Sequence, residues 1–345
     1  MWERWRAKRR ERDPRNADEA LRWALLAVLD RDHERAEALL TRAAELDSSS
    51  LEPYLALARF YRERGEIGRA IHVHQNLLLR EDLEPAQTTA VLADLAADFR
   101  QGGFLRRAIA SYEEVLERDP RHTDALGALV ALAADARDYP RALEAQRRLA
   151  RIEKRDASAE EARLWVDMAE SEAAAGHADA ARRAARKALR ANSRSVRGWI
   201  AQGALEAERG RWKAALAAWS KVPELDRRSG ALVYPRLESA YAAEGRAADY
   251  EAHLRRLLEA QPGDPQARLA LARALAARAK AEEAEAELRR LLERDPEHLE
   301  ARAELGRLLI AERRDAEVGK AHAELLDVLE RRGLLRTRGA SWELA

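Results

Sequence analysis

The run Ile71-His72-Val73-His74-Gln75 holds the residues whose types first suggest chemistry. Imidazoles bind metals and carry protons near neutral pH. On a helix, however, residues two apart lie roughly 200° apart around the axis. His72 and His74 therefore cannot chelate one ion together. The eight histidines are otherwise scattered, with no His-Glu-x-x-His among them. Cysteine is absent, which excludes disulfides, thiol catalysis, iron–sulfur clusters and Cys-ligated zinc. The acidic pairs Glu113-Glu114, Glu160-Glu161 and Glu282-Glu283 are adjacent in sequence and read as solvated helix faces. No Gly-rich phosphate loop is present, and Gln101-Gly102-Gly103-Phe104 reads as a repeat turn. No catalytic residue, metal site or cofactor is expected, and the chain reads as non-enzymatic.

A second cluster is ionic. Residues 1–15 hold seven Lys/Arg against Glu3, Glu11 and Asp13, with Trp2 and Trp5 at the front. Trp2, Trp5, Arg9 and Arg10 suit a weak contact with an anionic membrane face. A net +4 at about 1 kcal/mol per cation supplies at most roughly 4 kcal/mol, a millimolar affinity. The competing reading is a solvated tail. Over the whole chain 62 basic residues nearly cancel 61 acidic ones. That balance speaks against nucleic acid as a partner. No apolar run approaches the roughly 18 residues of a membrane span. The start, Met1-Trp2-Glu3-Arg4-Trp5, lacks the apolar core of a signal peptide. A soluble, cytoplasmic chain is expected, with the cytoplasmic face of the inner membrane as a second place for it.

The elements that must position these residues follow from periodicity. Ala, Leu, Arg and Glu dominate, and all favour helix. Small residues recur so that units begin at Ala17, Leu51, Thr89, Thr123, Ala162, Val196, Ala231, Pro265 and Leu299. The spacings are 34, 38, 34, 39, 34, 35, 34 and 34, so insertions fall before the third, fifth and seventh units. In the second unit Tyr54, Ala58 and Tyr61 share one helix face, Gly65 permits a turn, and Ala70 lets a second helix approach. Unit three repeats this with Leu92, Ala96, Phe99, Gly103, Ala108 and Tyr112. Unit six has Trp199, Gly203, Gly210, Ala215 and Trp219; unit seven has Tyr234, Tyr241 and Gly245. Pro120, Pro262 and Pro296 stop the second helices. The fourth unit replaces the turn glycine by Asp138-Tyr139-Pro140, and the ninth has Arg313 and Val318 at the turn and small-residue positions.

This pattern resembles the tetratricopeptide repeat. The resemblance implies an all-α, right-handed α-solenoid of about nine helix pairs over residues 17–332. A basic N-terminal segment (1–16) and a C-terminal tail (333–345) flank it. In that repeat the first helices line a concave face. Its exposed positions include Glu52, Leu55, Arg59, Arg62, Glu63, Arg100, Gln101 and Asp135, between small residues such as Ala93, Ala97 and Gly127. Such a floor with Arg/Glu posts suits a partner helix or extended peptide. His74 falls where the repeat usually has a core aromatic and is expected to be packed and hydrogen-bonded. His72 and Gln75 point elsewhere and are candidates for partner contact.

The run from Arg62 to Leu77, with Arg64-Gly65-Glu66, Arg69-Ala70-Ile71 and His74-Gln75, also resembles the LapB (YciM) family of lipopolysaccharide assembly proteins. Leu95-Ala96-Ala97-Asp98-Phe99 and Gly103-Phe104-Leu105-Arg106-Arg107-Ala108 continue the likeness. The resemblance implies an adaptor that regulates lipopolysaccharide synthesis together with the membrane protease FtsH and the deacetylase LpxC. Members of that family begin with a transmembrane helix and end in a rubredoxin-like Cys-x-x-Cys knuckle. The present sequence shows neither pattern. The alternative expectation is a generic scaffold for an unrelated multiprotein complex.

Overall fold

The computed structural model describes residues 13–334. Trp2, Trp5, Arg9, Arg10 and nearly all of the tail after residue 333 lie outside the described residues. Every regular element among the described residues is helical. The helices form nine successive pairs. They are α1 (Ala17–Leu29) with α2 (His33–Leu46), α3 (Glu52–Glu63) with α4 (Ile67–Leu78), and α5 (Pro85–Gln101) with α6 (Leu105–Arg118). Next come α7 (Thr123–Asp135) with α8 (Tyr139–Glu153), and α9 (Ser158–Ala174) with α10 (Ala178–Ala191). In the sixth pair α11 (Val196–Ala207) meets α12 (Trp212–Trp219) and the short α13 (Lys221–Leu225). The last three pairs are α14 (Tyr234–Ala243) with α15 (Ala247–Ala260), α16 (Pro265–Ala277) with α17 (Ala281–Arg294), and α18 (Leu299–Ala311) with α19 (Asp315–Arg331). The chain divides into two compact units, one ending at Leu164 and the other beginning at Trp165.

Within each unit the packing follows from small residues. Ala36, Ala70, Ala108, Ala142, Ala181, Ala215 and Ala284, each early in a second helix, have no exposed surface. No bulkier side chain fits where two helix backbones cross so closely. The turns within pairs share one backbone conformation. Arg31, Gly65, Gly103, Arg137, Gly176, Gly210, Gly245, Ala279 and Arg313 all have positive φ, between 56° and 80°. The fourth and ninth pairs thus form the same turn without glycine. Helix starts are capped in a repeated way: Asn16, Asp138, Ser195 and Asp264 accept from backbone amides of the first turn. His122 and His298 do the same through Nδ1. Each cap satisfies donors that the helix itself leaves open.

The insertions before units three and five are largely helical. They add a turn to the front of the first helices, so α5 and α9 have 17 residues each. Unit seven is not regular. The second helix of the sixth pair pauses at Ser220 and resumes as α13, which contains Pro223. A 3-10 helix (Arg227–Leu232) then precedes α14. In this pair Tyr250 takes the place of the buried alanine, and its hydroxyl donates to the Tyr234 carbonyl at 3.0 Å. Tyr234 in turn donates to Asp264 at 2.8 Å, so polar bonds tie this pair to the cap of α16.

Candidate functional site

The residues that sequence patterning singles out converge on α3, α4 and α5 in the first unit. Arg59 and Arg62 are three apart on α3, and Asp94 and Asp98 are four apart on α5, so each pair shares a face. Arg59 donates to Asp94 at 2.9 Å. Arg62 donates to Asp98 at 2.9 Å, to the other Asp94 oxygen at 3.3 Å, and to the Asp94 carbonyl at 3.2 Å. His74 of α4 approaches the second Asp98 oxygen through Nδ1 at 2.6 Å. A carboxylate only accepts, so Nδ1 carries the proton in this contact. His74 and Asp98 are both fully buried. His74 Nε2 has no partner among the described residues. Gln101 closes the arrangement by donating to the Arg62 carbonyl at 3.0 Å.

Charge explains the order of burial. A fully buried carboxylate is costly unless a cation and further donors meet it. Asp98 has both. Asp94 is raised by its burial, but the Arg59 hydrogen bond and charge, helped by Arg62, outweigh this and hold it below the usual carboxylate range. The same pairing raises Arg59 further. Arg62 is thereby withdrawn from the surface, with 17% of its side chain exposed. The expectation that it stands free on the concave face is corrected: Asp98 draws it inward.

Arg59 remains half out and borders a cleft of about 680 Å³ running over α3, α5 and α7. Ala93, Ala97 and Gly127 are among its floor residues; Asp94, Arg100 and Asp124 stand around it. Arg100 is exposed, and its side chain makes no hydrogen bond or ion pair among the described residues. A Cβ on Gly127 would meet nothing within 4 Å, so this glycine faces open space. The other candidates stand apart from the cleft. Glu52, Glu63, Gln101 and Asp135 are exposed, and Leu55 is half-buried. His72 and Gln75 are exposed on α4, with His72 Nε2 3.1 Å from the Asn76 amide.

The second unit repeats one element of this chemistry. Arg273 on α16 donates to Glu304 on α18 at 2.7 Å, and Arg307 pairs with the same carboxylate. An arginine on one first helix thus meets an acid on the next, as Arg59 meets Asp94. Sequence reasoning missed Asp94 and Asp98 as site residues. Their signal was present: two acids four apart in an Ala-rich helix, about one repeat downstream of two arginines.

Models described as tetratricopeptide repeat match residues 93–160, 166–226 and 241–299. Together these segments take in more than half of the chain, and it belongs to the tetratricopeptide repeat proteins. It is similar to lipopolysaccharide assembly protein B of Escherichia coli (strain K12), at 25% identity over 274 residues, 78% of this chain and 70% of that protein. The protein of the same description from Haemophilus influenzae is 28% identical over 128 residues, 37% of this chain and 32% of that protein. These matches indicate no enzyme family. Among solved structures, MamA from Desulfovibrio magneticus RS-1 aligns at 18% identity over 51% of this chain and 98% of its own, with a TM-score of 0.35. The APC/C hetero-tetramer Cut9-Hcn1 aligns at 15% identity over 80% of this chain and 52% of that one, with a TM-score of 0.33. No helix among the described residues is long and apolar enough to cross a membrane.

Proposed function

We propose that this chain is a non-catalytic adaptor in lipopolysaccharide assembly that takes a protein segment into the α3–α5–α7 cleft. The observation that carries the reading is the similarity, over 78% of the chain, to lipopolysaccharide assembly protein B. The cleft supplies the means. Its floor is small enough for a helix or extended strand to lie close, and Arg59 and Arg100 stand ready for acidic or carbonyl groups of the guest. Following the family resemblance, the partners are the protease FtsH and the deacetylase LpxC, and the place of action is the cytoplasmic face of the inner membrane.

Gly127→Arg is the direct probe of the cleft. The Cβ of the new side chain meets nothing within 4 Å, and the change improves helix propensity. Deletion of the gene is expected to change cellular LpxC and lipopolysaccharide levels, and Gly127→Arg is expected to restore neither despite normal folding. Unchanged levels after deletion would remove the assembly role. Full rescue by Gly127→Arg would move the binding surface elsewhere. A partner list from crosslinking that holds no envelope enzyme or protease would favour a generic scaffold.

A further inference from the structure

Helix α10, in the second unit, breaks the charge balance that holds elsewhere. Arg183, Arg186, Lys187 and Arg190 on it, and Arg194 just past its end, are spaced i, i+3, i+4, i+7 and i+11. The four on the helix therefore form one stripe, roughly 10 Å long at 1.5 Å per residue, and Arg194 follows beyond the helix end. From residue 183 to residue 194 the exposed residues are these five cations and Ser193. None of the five side chains has an ion pair among the described residues; the Lys187 ammonium sits over the Trp165 ring, 4.3 Å from its centre. Between Asp179 and Glu206 the sequence holds no acid at all. Neighbouring arginines are matched: Arg197 with Asp167 and Glu170, Arg209 with Asp179, Arg211 with Glu206.

Folding does not need the stripe. The inner face of α10 packs through Ala181, Ala184, Ala185 and Ala188. Like charges three and four apart destabilise a helix. The unmatched cations thus oppose the isolated fold and call for an anionic partner. The kind of partner follows from what accompanies them. No exposed aromatic ring lies along the stripe to stack on bases, and no exposed Asn or Gln reads base edges. No exposed apolar anchor of the sort that concentrates protein–protein affinity is present. A row of exposed cations along one helix face can meet a plane of mobile phosphates at several points at once. We propose that this face of α10 is an electrostatic docking surface for an anionic lipid bilayer.

The test uses the full chain and vesicles of phosphatidylcholine with or without phosphatidylglycerol. The intact chain should partition onto the anionic vesicles, fall off them with added salt, and ignore the neutral ones. A chain with Arg183, Arg186, Arg190 and Arg194 all changed to Gln should bind at least roughly tenfold more weakly, and each single Gln change should weaken binding a few-fold. The same four positions changed to Lys should bind as the intact chain does. Lys187 stays untouched, so its contact with Trp165 survives in every variant, and the N-terminal cations are common to all of them. Four results would overturn the proposal: no binding by the intact chain, equal binding by all the Gln variants, a Lys variant as weak as the fourfold Gln chain, or duplex nucleic acid bound more tightly than the vesicles. The third would point to a protein acid read by guanidinium geometry.

Discussion

Asp98 is the residue on which the first unit's polar interior turns, because Arg62 and His74 each bond one of its oxygens. Asp98→Asn keeps the shape and removes the charge. Arg62 then keeps only Asp94 as an anionic partner, and the amide offers one acceptor oxygen where the carboxylate offered two. The expected loss is about 3 kcal/mol, as for other broken buried pairs. Urea unfolding of the purified variant measures it; a loss below the error of the fit would mean the pair is energetically idle. His253 on α15 offers a second residue-scale expectation. Burial, with Arg256 adding to it, pushes this imidazole below its ordinary 6.5, and its Nε2 is buried without a partner. The folded state therefore binds fewer protons than the unfolded chain just below pH 6.5. Stability is complete above 6.5 and is lost as pH falls through the lowered folded value. His253→Gln should reduce the drop in melting temperature between pH 7.5 and pH 5.5. An identical drop in both proteins would assign the acid sensitivity elsewhere.

At the scale of elements, the turn inside each pair is the most constant feature. Nine turns use a left-handed residue, and four of these are not glycine. An ordinary side chain pays a steric cost in that conformation that glycine avoids. Arg137 and Arg313 are exposed at such turns. Arg137→Gly and Arg313→Gly are each expected to stabilise by roughly 0.5–1 kcal/mol, the relief of the strain less the added chain entropy. Differential scanning calorimetry would show the gain as a higher midpoint, and a lower midpoint would contradict it. The crossing of α11 and α12 makes the opposite demand. A Cβ on Gly203 would lie 2.3 Å from the Trp219 indole nitrogen, and that ring is buried and bonded to the Ile200 carbonyl. Even Gly203→Ala must displace the ring or the helix, at a cost of about 1–3 kcal/mol.

At the scale of the whole molecule, pairs touch mainly their neighbours in sequence. In such arrays stability is close to a sum of local interfaces. A defect should then stay local. Hydrogen exchange of Gly203→Ala is expected to show lost protection in α11–α14 and native protection in α3–α6. Uniform loss along the chain would mean that the two compact units unfold as one. The division at Leu164 places the two proposed binding surfaces in different units. The cleft belongs to the first unit and the basic stripe of α10 to the second.

The number of pairs and most of their starts were legible in the sequence, since α1, α7, α11, α16 and α18 begin where the repeat spacing puts a unit start. That information is local. Helical periodicity, small crossing residues and turn residues each act within a few positions. His74 was legible as a packed residue for the same reason. Its partner was not. Asp98 becomes a partner only when α5 stacks beside α3 and α4, which brings Arg62 and Asp98 together across 36 residues. The same stacking decided that Arg59 borders the cleft while Arg62 is spent inside. Left-handed Arg31, Arg137, Ala279 and Arg313 were also hidden, because the geometry of the helix pair imposes a conformation their own types disfavour. Sequence alone determined the repeating elements; the meeting of side chains from neighbouring repeats, which no local preference encodes, was decided by the tertiary structure.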